Sequence, residues 1–334
     1  RIVGTPSRSV WKRKMNRQAL GYILFVVFLA AIPVLGIYPI FAMKIMCYAL
    51  FACAFNLLLG FTGLLSFGHA AFLGGAAYAS GHAIKAWGFS PELGILYGVA
   101  IAGVLGVVMG ALAIRRSGIY FAMITMALSQ MVYFYFLQAK FTGGEDGLQG
   151  VPRGTLFGLI DLKNDLNLYY VVMAIFILGY LIIWRTVHSP FGQVLKAIRE
   201  NEPRAISLGY DVERFKLLAF VLSALLAGLA GSAKMLIFVS ATLSDATWQM
   251  SGLVILMTLN VANNILLESS LTFLGLGVDP MIPSWGGMLA DGRTYMQTAW
   301  WVSVFPGLAI MLTVLGLNLL GDWLRDRLDP TGKV

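Results

Sequence analysis

Charge is what this 334-residue chain has least of: Asp, Glu, Lys and Arg together make up 12% of it, about half the share of a soluble domain. With hydrophobic residues at 58%, there are too few polar side chains to cover a water-facing surface, which excludes a soluble enzyme and a disordered chain. Cysteine is nearly absent, which excludes a disulfide scaffold. Cys47 and Cys53 share one apolar run, do not face each other well on a helix, and read as inert packing. Acidic residues are outnumbered 16 to 24, giving a net charge of +8. In so apolar a chain that excess reads as basic cytoplasmic loops, and no nucleic-acid partner is expected.

The motifs of chemistry are missing too. There is no G-x-x-x-x-G-K-[ST] loop, so the chain has no route of that kind to bind and hydrolyse ATP. His69, His82 and His188 stand apart from cysteines and carboxylates, so no metal is expected. No H-E-x-x-H or G-x-S-x-G occurs, which leaves an intramembrane enzyme without an anchor and the chain without a catalytic residue or a cofactor of its own. The long apolar runs hold no acidic residue, which argues against the alternative of an ion-coupled secondary transporter.

What the sequence does have is long uncharged runs, and a mean hydropathy of +0.78. They lie at Gln18–Met43, Ile45–Ile84, Leu93–Ile114, Ser117–Ala139, Leu166–Trp184, Leu217–Ala233, Ala246–Leu267 and Thr294–Gly321. About 20 apolar residues cross the hydrocarbon as a helix. The run Ile45–Ile84 is long enough for two helices, broken near Gly60-Phe61-Thr62-Gly63. The expected fold is therefore an all-α, polytopic bundle of about 8–9 transmembrane helices in the lipid bilayer of the inner (plasma) membrane. The first run is too long for a cleavable signal peptide.

Basic residues orient the bundle. The segment 1–19 carries Arg1, Arg8, Lys12, Arg13, Lys14 and Arg17 and no acid, and is expected in the cytoplasm. Counting spans then places Arg115-Arg116 and Arg185–Lys216 inside, and Lys140–Asp165 outside. The same count puts Asp322–Val334 outside, where three basic and three acidic residues decide nothing. Gly94, Gly98, Ala102, Gly106 and Gly110 recur every fourth residue, a face that admits close helix approach, with a weaker one at Ala224, Gly228 and Ser232.

Two polar features stand out. His69 and Ser66 sit in a Gly/Ser-rich stretch within the membrane, where an ionisable side chain marks a possible translocation path or is a neutral imidazole bonded to a backbone carbonyl. The cytoplasmic segment Ser189–Glu213, SPFGQVLKAIRENEPRAISLGYDVE, has a Ser-Pro helix start, an apolar face of Val194, Leu195 and Ile198, and Lys196/Glu200 and Glu200/Arg204 spaced as i,i+4 pairs. Gly209 offers a helix stop. So long a connector reads as a docking helix for a cytoplasmic partner, with Glu200, Asn201, Arg204 and Gly209 as its contact residues, or as a solvated loop. Lys234, near a helix end, is expected to snorkel, and Thr142–Gly154 to meet an external protein or to be a turn-rich connector.

That segment resembles the coupling loop of ATP-binding-cassette importer permeases of the branched-chain amino acid type. Asn56–Phe72 (NLLLGFTGLLSFGHAAF), Gly118–Met123 (GIYFAM), Thr142–Leu148 (TGGEDGL), Lys216–Gly231 (KLLAFVLSALLAGLAG) and Met250–Leu259 extend the likeness over residues 20–259. After Leu259 that family would continue with Gly-Gly-x-Gly-Thr. Here Asn260–Gly277 (NVANNILLESSLTFLGLG), Pro283–Leu289, Phe305–Gly307 and Asn318–Pro330 are instead similar to the C-terminal part of dipeptide/oligopeptide permeases, so 260–334 forms a second region and the chain resembles a composite. That second resemblance implies an inside tail. Together they imply a permease subunit of an importer, for branched-chain or related amino acids or, as the alternative, peptides. Its partners would be cytoplasmic ATPase subunits, which alone use ATP, a second permease subunit and an extracytoplasmic substrate-binding protein.

Overall fold

The computed structural model describes residues 25–33, 36, 38–158, 160–252, 284–292 and 299–328. Its helices are α1 (Pro39–Thr62), α2 (His69–Trp87), α3 (Pro91–Ala113), α4 (Gly118–Gln138), α5 (Asp165–Val187), α6 (Pro190–Glu200), α7 (Glu202–Ser207), α8 (Val212–Phe238), α9 (Trp285–Gly292) and α10 (Trp301–Leu328). Among the described residues, α1, α3, α4, α5 and α8 are long and apolar enough to cross a membrane. The fold is an all-α polytopic bundle.

Two compact units divide it, Arg1–Ser251 and Gly252–Val334. In the second, α9 packs on α10, with Gly292 against Ser303. The join near Thr258–Asn260, the amides Asn260, Asn263 and Asn264, and the basic segment 1–19 lie outside the described residues.

Local sequence sets the helix limits. Proline opens α1, α3 and α6, where its missing N–H costs no helix bond. Asn164 caps α5 and Asp211 caps α8, their side chains accepting from the N–H of Leu166 and Arg214. The expected break at Gly60–Gly63 is real: α1 ends at Gly63, whose φ of +72° suits glycine. The run Gln18–Met43, however, is not one span. Its helical part stops at residue 31, and α1 restarts at Pro39 after a turn carrying Gly36. Lys44 therefore lies inside α1, near its outer end, with its ammonium 6.0 Å from the Phe238 ring centroid.

The core of the first unit is α2 packed against α3 and α8, with α1 lying on α8 and α5. The glycine face of α3 does what its spacing predicts. A Cβ on Gly106 would sit 2.7 Å from Ala224 Cβ, one on Gly110 would sit 2.7 Å from Leu217 Cδ1, and Gly98 abuts Ser232. Gly228 on α8 abuts Ala102 in turn. Replacing Gly106 by valine is expected to cost about 1–3 kcal/mol through forced separation of α3 and α8, read as a lower unfolding midpoint of the purified chain in detergent.

The end of the bundle expected outside is laced by loop contacts. The strand Leu148–Gln149 pairs antiparallel with Ser240–Ala241, and Thr155–Leu156 pairs with Ile160–Asp161. Arg153 bridges the Asp165 carboxylate at 2.9 Å and the Ile237 carbonyl at 2.8 Å, tying the loop to α5 and α8.

Candidate functional site: the cytoplasmic helix module and its anchors

Residues 189–213 fold as a small module with its own core. Ser189 caps α6, its hydroxyl accepting from the Gly192 N–H. One face of α6 buries Leu195 and Ile198, and Ile198 packs with Ala205 and Val212, flanked by Val194 and Phe215. Phe191 stacks on Phe215 with centroids 5.6 Å apart. The Lys216 ammonium, 5% exposed, bonds Glu202 at 2.6 Å and so ties α7 to α8.

The same module grips the end of α1. Arg199 donates to the Gly60 carbonyl, and Lys196 lies 5.6 Å from the Phe61 ring centroid. These two basic residues thus bind within the bundle. α6 contacts α1 through Arg199, and α7 contacts α8 through Glu202–Lys216.

The four singled-out residues fall into different positions. Glu200 and Arg204 are exposed and hold no ion pair among the described residues. The expected Glu200/Arg204 helix pair does not form. Asn201 (φ −155°, ψ 95°) separates α6 from α7, so the two residues lie on different helices. Asn201 itself caps α7, its side chain accepting from the Arg204 N–H at 3.0 Å. Gly209, at φ +86°, turns the chain after α7 while the Tyr210 N–H returns to the Ala205 carbonyl. Between them Ile206 and Leu208 stand 58% and 68% exposed, an apolar patch that the sequence reading missed. Replacing Asn201 by alanine is expected to cost about 1 kcal/mol of local stability, seen as faster amide exchange across α7, and Asn201→Asp should restore the protection.

The second candidate pair lies deeper. Ser223 of α8 is about 16 Å along its helix at a rise of 1.5 Å per residue. His69, the first residue of α2, meets it there, with Nε2 2.7 Å from Ser223 Oγ. The turn 63–68 therefore carries non-helical backbone within membrane depth, and its donors need protein partners. They have them. The Phe67 N–H bonds Thr125, the Gly68 N–H bonds Ser66, and the Ala70 N–H bonds Ser251.

The bonding fixes the tautomer of His69. Ser223 has one hydroxyl proton and gives it to the Ala54 carbonyl, which can only accept. Ser223 Oγ must then accept from His69 Nε2–H, leaving Nδ1 as a bare acceptor that has no partner among the described residues. The ring is fully buried between Phe55, Phe72 and Phe220, with centroids 5.2, 5.5 and 5.9 Å away. Of the two alternatives, the carbonyl bond is made through Ser223 rather than directly. Ser223→Ala should cost about 1–3 kcal/mol, because it strands a buried donor and a buried acceptor together; calorimetry of the full chain in detergent would measure it.

One polar pair went unread. Lys234 does not snorkel. It is 12% exposed and forms an ion pair with Asp245, which is 4% exposed and also accepts from the Thr242 hydroxyl at 3.0 Å. The rings of Tyr48 and Phe238 lie 5.6 and 5.7 Å from the ammonium. Only the reversal of the chain at Val239–Thr247 brings residues 234 and 245 together.

Two kinds of likeness to known proteins run through the chain. A family model described as the permease component of the branched-chain amino acid transport system matches residues 38–266. The chain is also similar to the di/tripeptide transport system permease protein DppC of Pseudomonas aeruginosa, 53% identical over 81 residues that make up 24% of this chain and 27% of that one. The dipeptide transport system permease protein DppC of Escherichia coli is 52% identical over 81 residues, again 24% and 27% of the two chains. The glutathione transport system permease protein GsiD of Escherichia coli is 52% identical over 80 residues, 24% of this chain and 26% of that one. The chain thus spans about a quarter of the length of these curated relatives. No solved structure matches it.

Proposed function

The chain belongs to the branched-chain amino acid transport system permease family, and on that premise we propose that it is the membrane-spanning subunit of an ATP-driven importer. It is a multi-pass protein of the bacterial inner membrane. Branched-chain amino acids are the first substrate class, supported by the family match over 38–266. Peptides are the second, supported by the stretch that is like the di/tripeptide permeases.

The observation that carries the reading is the module 189–213: a packed helix pair, anchored to two spanning helices, whose outer face holds Glu200, Arg204, Ile206 and Leu208 free of internal partners. A cytoplasmic ATPase subunit docks on that face. When it closes on ATP it moves α6 and α7 as one body, and the anchors to Gly60 and Lys216 carry the motion into α1 and α8. A second permease subunit completes the pathway, and a binding protein delivers substrate outside. The ligand-driven shift comes from differential affinity for two conformations, not from covalent chemistry on this chain. His69 ties α2 to α8 through Ser223, and Ser66 holds the turn before it; both stay candidates for the translocation path.

Proteoliposomes holding the chain with its ATPase, second permease and binding protein give the test. Leucine, isoleucine or valine uptake should require ATP and the binding protein. Uptake of dipeptides alone would move the assignment to the second substrate class. Uptake driven by a proton or sodium gradient without ATP would overturn the importer reading.

A further inference from the structure

Two cavities open at the extracytoplasmic end of the first unit, and they share His82 and Phe141 as a common wall. One, of about 350 Å³, is an aromatic slot. Trp87, Tyr97, Tyr135 and Phe136 line it, with Ile101 at one side and the small residues Gly75 and Ala79 leaving room for its floor. The other, of about 440 Å³, has a mixed lining in which Phe141 and Leu148 stand beside the ionisable groups His82, Lys85 and Lys140. Neither lysine is paired with a carboxylate among the described residues. Lys85 gives one proton to the Gln149 carbonyl at 2.6 Å and keeps two donors free. The acidic residues Glu145 and Asp146 sit on the adjoining turn, but neither lines the cavity. His82 is held edge-on between Trp87 and Phe141, centroids 5.4 and 5.1 Å away.

The arrangement is amphiphilic and has a depth. Trp and Tyr concentrate at the membrane–water boundary, so Trp87, Tyr97 and Tyr135 set the slot at that level. Lys85, in the last turn of α2, and Lys140, just after α4, lie at the exposed side of the slot, where headgroups would stand if the aromatics mark the boundary. A ligand that fits must carry a negative head and a hydrocarbon chain. We propose that this paired cavity binds one anionic phospholipid of the outer leaflet, its phosphate held by Lys85, Lys140 and His82 and an acyl chain lying in the aromatic slot. The lipid would wedge α2, α3 and α4 at the end opposite the docking module. This assignment is independent of the transported substrate.

The test uses the full chain in nanodiscs of mixed phosphatidylglycerol and phosphatidylcholine, with retained lipid counted by native mass spectrometry after release into detergent. Phosphatidylglycerol should be retained selectively. The double variant Lys85→Gln/Lys140→Gln should lower that selectivity about thirtyfold, given what two basic groups contribute at an anionic surface. Ala79→Trp, which fills the slot, should reduce retention of both lipids. Because that variant can fail by misfolding, the unaltered chain is also labelled with phosphatidylglycerol bearing a photoreactive acyl chain. Cross-links should concentrate on peptides holding Tyr97, Ile101 and Phe141. Equal retention of the two lipids, or cross-links spread evenly over the lipid-facing helices, would overturn the proposal. So would full displacement by soluble glycerol 3-phosphate, which would make the chain-binding slot irrelevant and the ligand a free phosphate ester.

Discussion

Replacing Lys234 by methionine is expected to be among the most damaging single changes in the first unit, about 3–5 kcal/mol, because it strands the Asp245 carboxylate where it is 4% exposed. The Thr242 hydroxyl alone cannot replace an ammonium. The double variant Lys234→Met/Asp245→Leu should recover most of the loss, since a buried pair can be exchanged for packed apolar groups at little net cost. Thermal unfolding of the four proteins in one detergent forms a complete cycle. A single variant as stable as the parent would mean that the pair is not made. The pair also has a mechanical role. It holds the turn Leu243–Ala246 on α8, and Ala246 in turn sits on Gly74 of α2, where an added Cβ would lie 2.7 Å from its methyl group. Losing the ion pair should therefore loosen residues 240–252 first, visible as faster amide exchange there than in α3.

The second large effect belongs to the docking face. Charge reversal at Arg204, exposed and unpaired, should weaken co-purification of the ATPase subunit about tenfold or more while leaving the unfolding midpoint within about 0.5 kcal/mol. Ala205→Asp should abolish co-purification by another route, since a carboxylate at a site 1% exposed breaks the core that Ile198, Ala205 and Val212 share. Gly209→Val belongs between them. A β-branched residue at φ +86° is strained by about 1–3 kcal/mol, so the turn after α7 should shift and association should fall without a charge having changed. If the ATPase still co-purifies undiminished from all three variants, the module is not its docking site.

Much of this was legible in one dimension, because a bilayer allows few solutions. Uncharged runs of spanning length had to become helices, and α3, α4, α5 and α8 fall within a few residues of the runs that announced them. Prolines and small polar residues marked helix starts, and the four-residue repeat of glycines marked the face by which α3 meets α8. The module 189–213 was legible for the same reason: its apolar face has helical spacing, and Leu195 and Ile198 are buried. The Glu200/Arg204 pair failed because spacing assumes one continuous helix. Asn201, a capping residue between Glu200 and Glu202, was the visible sign that the helix is interrupted.

What the sequence by itself determined was therefore what period and solvent set: membrane class, the spans that became α3, α4, α5 and α8, and the apolar face of α6. What only the tertiary structure decided was which polar groups find one another across the chain. Ser223 looks like one more small residue of α8 until His69 and Ala54 arrive beside it, 154 and 169 positions away in sequence. Lys234 looks like a snorkelling side chain until the turn after Val239 returns Asp245 to it. Arg199 looks like a docking charge until it meets the Gly60 carbonyl. The physical reason is the same in each case. In hydrocarbon a polar group must be paired, but its sequence states only that it needs a partner, and the packing of distant helices chooses which one.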